Sequence, residues 1–215
     1  MAFRGVDLAP AASNGPAFAP YFMALSMWLG SVVSAFMFHF NVFPRSVERK
    51  MRIAKIIGKG LIPGAITLAA AMFLGITIHV FLGVPLVHAR GFFTVLLVTA
   101  ITFDTIVYAL MRLLGDAGKM VSVIFLVLQL SAAGGPYPIE LSGPFYQTIH
   151  GWLPFTYAVR GLRASMFGSY GGDWALQIYH MVPWIAVGIL ISHWTADRFH
   201  YVDDDDYRAA IKVGG

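Results

Sequence analysis

What most constrains this chain is where its charges are missing. No Asp, Glu, Lys or Arg lies between Asp7 and Arg45, between Lys59 and Arg90, between Lys119 and Glu140, or between Asp173 and Asp197. The interval from Arg90 to Arg112 is broken only by Asp104. The apolar bodies of these intervals are Tyr21–Phe43, Leu61–Leu82, the stretch around Asp104, Met120–Ala133 and Trp174–Trp194. A membrane-crossing helix needs about 20 apolar residues at a rise of about 1.5 Å each. Composition agrees: 12% of the 215 residues are charged and 58% are apolar. That is too much apolar surface for one soluble core of this size. Disorder, collagen and coiled coil are excluded. The absence of Cys removes disulfides, thiolate metal sites and thiol nucleophiles. The expected fold is all-α: a polytopic membrane protein of five transmembrane helices, with two short outer-leaflet or re-entrant helices between the fourth and fifth.

The leading segment, MAFRGVDLAPAASNGPAFAP, is polar and rich in Ala and Pro. The first apolar run is of full span length, so it reads as a retained anchor and not a signal peptide. Three regions follow: an extracytoplasmic lead (1–19), a membrane domain (20–196) and an acidic cytoplasmic tail (197–215). Basic residues set the orientation. Arg45, Arg49, Lys50, Arg52, Lys55, Lys59, Arg112, Lys119, Arg198, Arg208 and Lys212 fall on one side, against Arg4, Arg90, Arg160 and Arg163 on the other. The positive-inside rule places the N-terminus outside and the C-terminus in the cytoplasm of a cell inner or plasma membrane. The Asp203–Asp206 run reads as a solvated tail.

Two places break the pattern. Met120–Ala133 is only 14 residues and meets Gly134-Gly135-Pro136-Tyr137-Pro138. Two Gly and two Pro stop a helix and leave backbone groups that lipid cannot satisfy, so the break must be buried, line a wet cavity or sit at the headgroups. Borrowing Leu113 and Leu114 across Gly115-Asp116 would lengthen the helix at its other end. Beyond the break, Ser142-Gly143-Pro144 predicts a helix with a capping hydroxyl, running to about His150. Pro154 opens a second helix, to about Phe167, ended by Gly168. The rings around them suit a membrane–water interface. The second irregular place is the basic segment. Arg45, Arg49, Arg52, Lys55 and Lys59 recur at helical steps, which predicts one basic face with Val47, Met51 and Ala54 opposite. It serves either as a patch touching anionic lipid or as a docking helix for a partner.

Candidate chemistry is sparse. Asp104 is the acid well inside a span. It is either a proton or cargo-gating group, with His79 or Gln129 as partner, or a structural acid bonded to Thr or Tyr hydroxyls. Arg160 and Arg163, one turn apart, either snorkel to phosphates or line an exit with Glu140 and Tyr157. Ser26, Gly30 and Ser34, and also Gly60 and Gly64, permit close helix approach, within one bundle or in a dimer. A haem or metal enzyme using the His residues is a lesser reading, with His193 and Asp197 at metal-like spacing. No phosphate loop, nucleophile elbow or HExxH is present. The chain is therefore read as a non-enzyme without cofactor or metal. Its basic balance reflects topology and not nucleic acid binding.

The stretch Gln129-Leu130-Ser131-Ala132-Ala133-Gly134-Gly135-Pro136-Tyr137-Pro138-Ile139-Glu140 and the stretch Leu153-Pro154-Phe155-Thr156-Tyr157-Ala158-Val159-Arg160-Gly161-Leu162-Arg163 resemble the C-terminal membrane domain of the YhgE/Pip (phage infection protein) family. That family is related to ABC type 2 permeases. Ala19-Pro20-Tyr21-Phe22, Trp28-Leu29-Gly30 and Leu114-Gly115-Asp116-Ala117-Gly118 fit as well, so the resemblance spans roughly 16–196. It implies spans two to six of a six-span permease, a coupling region at 45–59 and paired outer helices at 137–168. The partners expected are the lipid bilayer, a homodimer or hetero-oligomer in which another membrane protein supplies a first span and ectodomain, and, for an exporter, a cytoplasmic ATPase on another chain. The function expected is a membrane subunit of an exporter or secretion assembly for a lipid-like or polymeric substrate. The alternative is a non-transporting scaffold for partner subunits.

Overall fold

The computed structural model describes residues 14–135 and 138–205. The chain is overwhelmingly helical. Helix α1 spans Asn14–Met37, α2 Arg52–Ile76, α3 Ala89–Leu114, α4 Ala117–Ala132, α5 Pro144–His150, α6 Pro154–Phe167 and α7 Trp174–Trp194. Strands β1 (Val42–Pro44) and β2 (His200–Val202) pair in parallel, with Phe43 opposite Tyr201. Among the described residues, α1, α2 with its π-wound extension to Phe81, α3 and α7 are long and apolar enough to cross a membrane. This is the composition of an all-α membrane protein. Helix α4 has 16 residues, about 24 Å of helix against about 30 Å of hydrocarbon.

Several expectations shift. The first helix begins and ends earlier than Tyr21–Phe43, because Phe38–Asn41 turn and the next residues form β1. The second begins at Arg52, nine residues before its apolar body, because the basic residues continue the same winding. The single basic face is corrected: Arg45 lies in a short 3-10 turn and Arg49 in the turn before Arg52, so only Arg52, Lys55 and Lys59 share a helix. Met51 and Ala54 are exposed while Lys55 is buried, the reverse of the expected sides. Gly115, at φ +61°, ends α3 in the left-handed conformation that glycine adopts without strain. Leu113 and Leu114 therefore do not lengthen α4. Helices α5 and α6 start and stop where Pro144, Pro154 and Gly168 predict. The hydroxyl of Ser142 does not cap α5: the N-cap is Gly143, and Ser142 instead lends its carbonyl to Gln147. The tail is not simply solvated, since β2 pairs with β1, Asp203 meets Arg45 at 2.8 Å and Asp204 accepts the Ser46 amide.

The chain divides into two compact units. One comprises, of the described residues, 14–26, 71–99, 129–135 and 138–181. Its core is one face of α6, where Phe155, Ala158 and Leu162 are wholly buried. Tyr21 sets its ring edge-on to Phe155. The amides of Val87 and His88 bond the carbonyls of Met166 and Ser165 at the end of α6. The other unit comprises 27–70, 100–128 and 182–205. Trp28 is its centre: fully buried, edge-on to Phe103 and Phe125, its indole N–H bonded to the Ser122 carbonyl at 3.1 Å.

Candidate functional site

In the second unit, α2, α3 and α7 meet through small residues. A side chain on Gly60 would face Tyr108, and one on Gly64 would lie 3.3 Å from Asp104 Oδ2. Gly188 approaches Thr105 so closely that a Cβ would lie 2.6 Å from its methyl group and 3.0 Å from its carbonyl. The Gly60/Gly64 spacing thus serves packing within the chain. No atom lies within 4 Å of a Cβ built on Gly30, and Ser26 is exposed.

These contacts leave a groove of about 510 Å³ lined by residues of α2, α3 and α7, with Asp104, Thr105, Tyr108, Ser192 and His193 as its polar members. The remaining walls are chiefly apolar, among them Ile53, Ile57, Leu61, Ile189 and Leu190, all exposed. The Asp104 carboxyl lies near the Thr67 hydroxyl, which donates to the Gly64 carbonyl at 3.0 Å. His79 instead shares a hydrogen bond with the Val84 carbonyl. Tyr108 donates to the Ile56 carbonyl and Ser192 to that of Gly188.

The basic segment of this unit is sewn to the tail. Lys55 donates to Tyr201 Oη at 2.7 Å and to the Glu48 carbonyl, and lies over the Tyr201 ring. Lys59 lies over Phe43, 5.0 Å from its centroid. Arg45 pairs with Asp203, whereas Arg49 and Arg52 are exposed. A residue that sequence reasoning counted only for topology joins them. Arg112 is fully buried and donates to the Asn41 side chain at 3.1 Å, the Phe40 carbonyl at 3.4 Å, and the carbonyls of Thr195 at 3.1 Å and Ser192 at 3.5 Å. Its guanidinium lies 4.0 Å from the Phe199 ring centroid. A cation at the last carbonyls of α7 is favoured by the helix dipole. The signal available was an arginine one residue short of two leucines, at the end of an apolar run. On the neighbouring turn Lys119 sits 2.8 Å from Asp116 and holds that carboxyl below the usual range by hydrogen bond and charge.

In the first unit the helix break is satisfied by protein. Arg163 donates to the Gly135 carbonyl at 2.7 Å and to that of Gly134 at 3.4 Å. His150 Nδ1 donates to the Ala132 carbonyl, the end of α4, which leaves Nε2 to accept from Arg160 at 2.7 Å. Gly134 takes a positive φ, and Gly135 packs so tightly under the Tyr21 ring that no side chain fits. Arg160 and Arg163 are therefore committed to this girdle, not to a path shared with Glu140. Glu140 has an exposed side chain, and its carbonyl accepts from Gln147. Tyr157 donates to the Gly151 carbonyl and stacks on His180 at 4.5 Å. Gln129 is fully buried, and neither amide atom has a hydrogen-bond partner. Pro138 sits just before a 3-10 turn, while Pro136 lies outside the described residues.

No family model and no solved structure matches the chain. It is 28% identical over 190 residues to a Bacillus subtilis (strain 168) protein named uncharacterized protein YhgE. The match covers 84% of this chain but 23% of that relative, so the chain spans about a quarter of the relative's length. The similarity supports membership of a YhgE-like family.

Proposed function

We propose that this chain is the membrane subunit of an exporter-type assembly, in which a partner drives movement of a lipid-like cargo. The observation that carries this reading is the groove of α2, α3 and α7. It sets a carboxyl among apolar walls on helices of membrane-spanning length. A charge stripped of water there is costly, so an intramembrane acid beside an open groove marks a substrate or ion path. In this reading the basic side faces the cytoplasm, and Arg49 and Arg52, exposed beside the groove-lining start of α2, receive a cytoplasmic ATPase. Kinship with type 2 permeases, a second membrane chain carrying a first span and ectodomain, and a dimeric assembly belong to the same proposal.

The test is to isolate the chain with its native partners, reconstitute it in vesicles and follow ATP-dependent translocation of a fluorescent single-chain lipid. Translocation that is lost in Arg49→Glu/Arg52→Glu supports the reading. A stable partner complex that translocates nothing would replace it with the scaffold.

A further inference from the structure

We propose that the Asp104 groove selects single-chain amphiphiles whose head is a protonated amine. This inference rests on the groove being a cargo path, and it names the class of cargo. Its volume, about 510 Å³, lies within the roughly 300–1,000 Å³ of small-molecule sites. That suits one chain with a small head.

The lining contains one carboxyl and neither Lys nor Arg. A phosphate or sulfate head would therefore meet no fixed positive charge and would face an acid. An ammonium head would complete what the acid lacks. An ionised carboxyl has about four acceptor sites. Its neighbour here, Thr67, has a single hydroxyl hydrogen and also stands 3.0 Å from the Gly64 carbonyl, where that hydrogen is needed. Of the other hydroxyls of the lining, Tyr108 donates to Ile56 and Ser192 to Gly188, which leaves that of Thr105. An ammonium brings three donors and a charge, the strong form of hydrogen bond to a carboxylate. His193 is the other titratable lining group, and it is exposed. Gly60 lines the groove without a side chain, while Gly64 packs directly against the carboxyl. The apolar rim of Leu61, Ile189 and Leu190 then receives the tail.

The chain has no native Cys, so Leu61→Cys gives one thiol at the rim. In phosphatidylcholine nanodiscs, labelling of that thiol by a membrane-soluble maleimide is timed with dodecylammonium, dodecanol or dodecyl phosphate present. Dodecylammonium should slow labelling about tenfold relative to the other two, which is a tenfold smaller unoccupied fraction, the effect of about a decade in affinity. In Asp104→Asn that preference should vanish, while Asp104→Glu should keep it. Equal protection by dodecanol, or a preference undiminished in Asp104→Asn, overturns the proposal. The comparison of heads is made on the chain with Asp104 intact, so it decides the matter even where Asp104→Asn does not fold. Lost selectivity with translocation intact would refute only this inference. Selective protection without translocation would refute only the transport reading.

Discussion

Replacing Arg163 with Met tests whether protein, and not lipid, satisfies the broken end of α4. The guanidinium makes one short bond to the Gly135 carbonyl at 2.7 Å and one long bond to Gly134 at 3.4 Å. Hydrogen bonds to charged groups contribute about 1.5–3 kcal/mol each. The short bond falls in that range and the long one adds well under 1 kcal/mol. The expected loss is about 2–3 kcal/mol. At roughly 2–4 °C per kcal/mol for a chain of this size, Tm should fall by about 4–12 °C. The assay is thermal unfolding of the full chain in nanodiscs, followed by Trp fluorescence. Arg163→Lys keeps the charge but not the planar fork, and should recover less than half of the loss. A change below about 0.5 kcal/mol in Arg163→Met would refute the reasoning, because surface-like arginines behave so. Lipid charge separates the alternatives. An arginine that snorkels to phosphates should respond to the content of anionic lipid, whereas one bound to carbonyls should not.

Two further outcomes follow from the packing. Gly188→Ala in α7 should destabilise by about 1–3 kcal/mol, because its Cβ meets the backbone of Thr105. Gly30→Ala in α1 should stabilise by up to about 1 kcal/mol, because its Cβ meets open space and helix propensity alone acts; equal signs in the two melts would refute the contact. Joining β1 to β2 with Val42→Cys and His200→Cys, opposite each other in register, should halt partner-driven translocation reversibly with reductant. It should leave rim protection by dodecylammonium unchanged, and translocation that persists in the crosslinked form counts against a moving tail.

The long helices and the two short ones were legible because their signals are local. Trp174–Trp194 is bounded by the residues read from the sequence, and Pro154 and Gly168 mark α6 by backbone chemistry alone. What escaped depends on partners distant in sequence. Arg112 looks like a topological charge until Phe40, Asn41 and Thr195 converge on it. Lys55 fits a basic face at helical spacing, yet is buried because Tyr201, 146 residues away, accepts its hydrogen bond. The tail's acids look solvated because nothing in their own neighbourhood says that 42–46 lies beside them. Asp104 was found by its cost in lipid, but the hydroxyl beside it, that of Thr67, is on another helix. Periodicity reports how a helix divides its faces, not which face a distant strand covers.

The same distant contacts explain how a push on the basic segment would reach the groove. Helix α2 runs unbroken from Arg52 to Ile76, so Lys55, Gly60 and Gly64 ride on one rod. Lys55 and Gly64 are about 14 Å apart along it. Lys55 is tied to the tail by Tyr201, and Arg45 by Asp203. Gly64 faces Asp104. A loop would absorb a displacement at Lys55, whereas a helix carries it. Pro63 lies within α2 beside Gly64. It has no N–H to give to the carbonyl of Lys59, and such prolines are where helices bend. Any bend of α2 at Pro63 would fall between Gly60 and Gly64, beside the groove. A tilt of the basic end about that point would widen or narrow the space over Asp104. In the proposed transport reading, coupling of this kind needs a contiguous element with two arrangements, and α2 is the contiguous element.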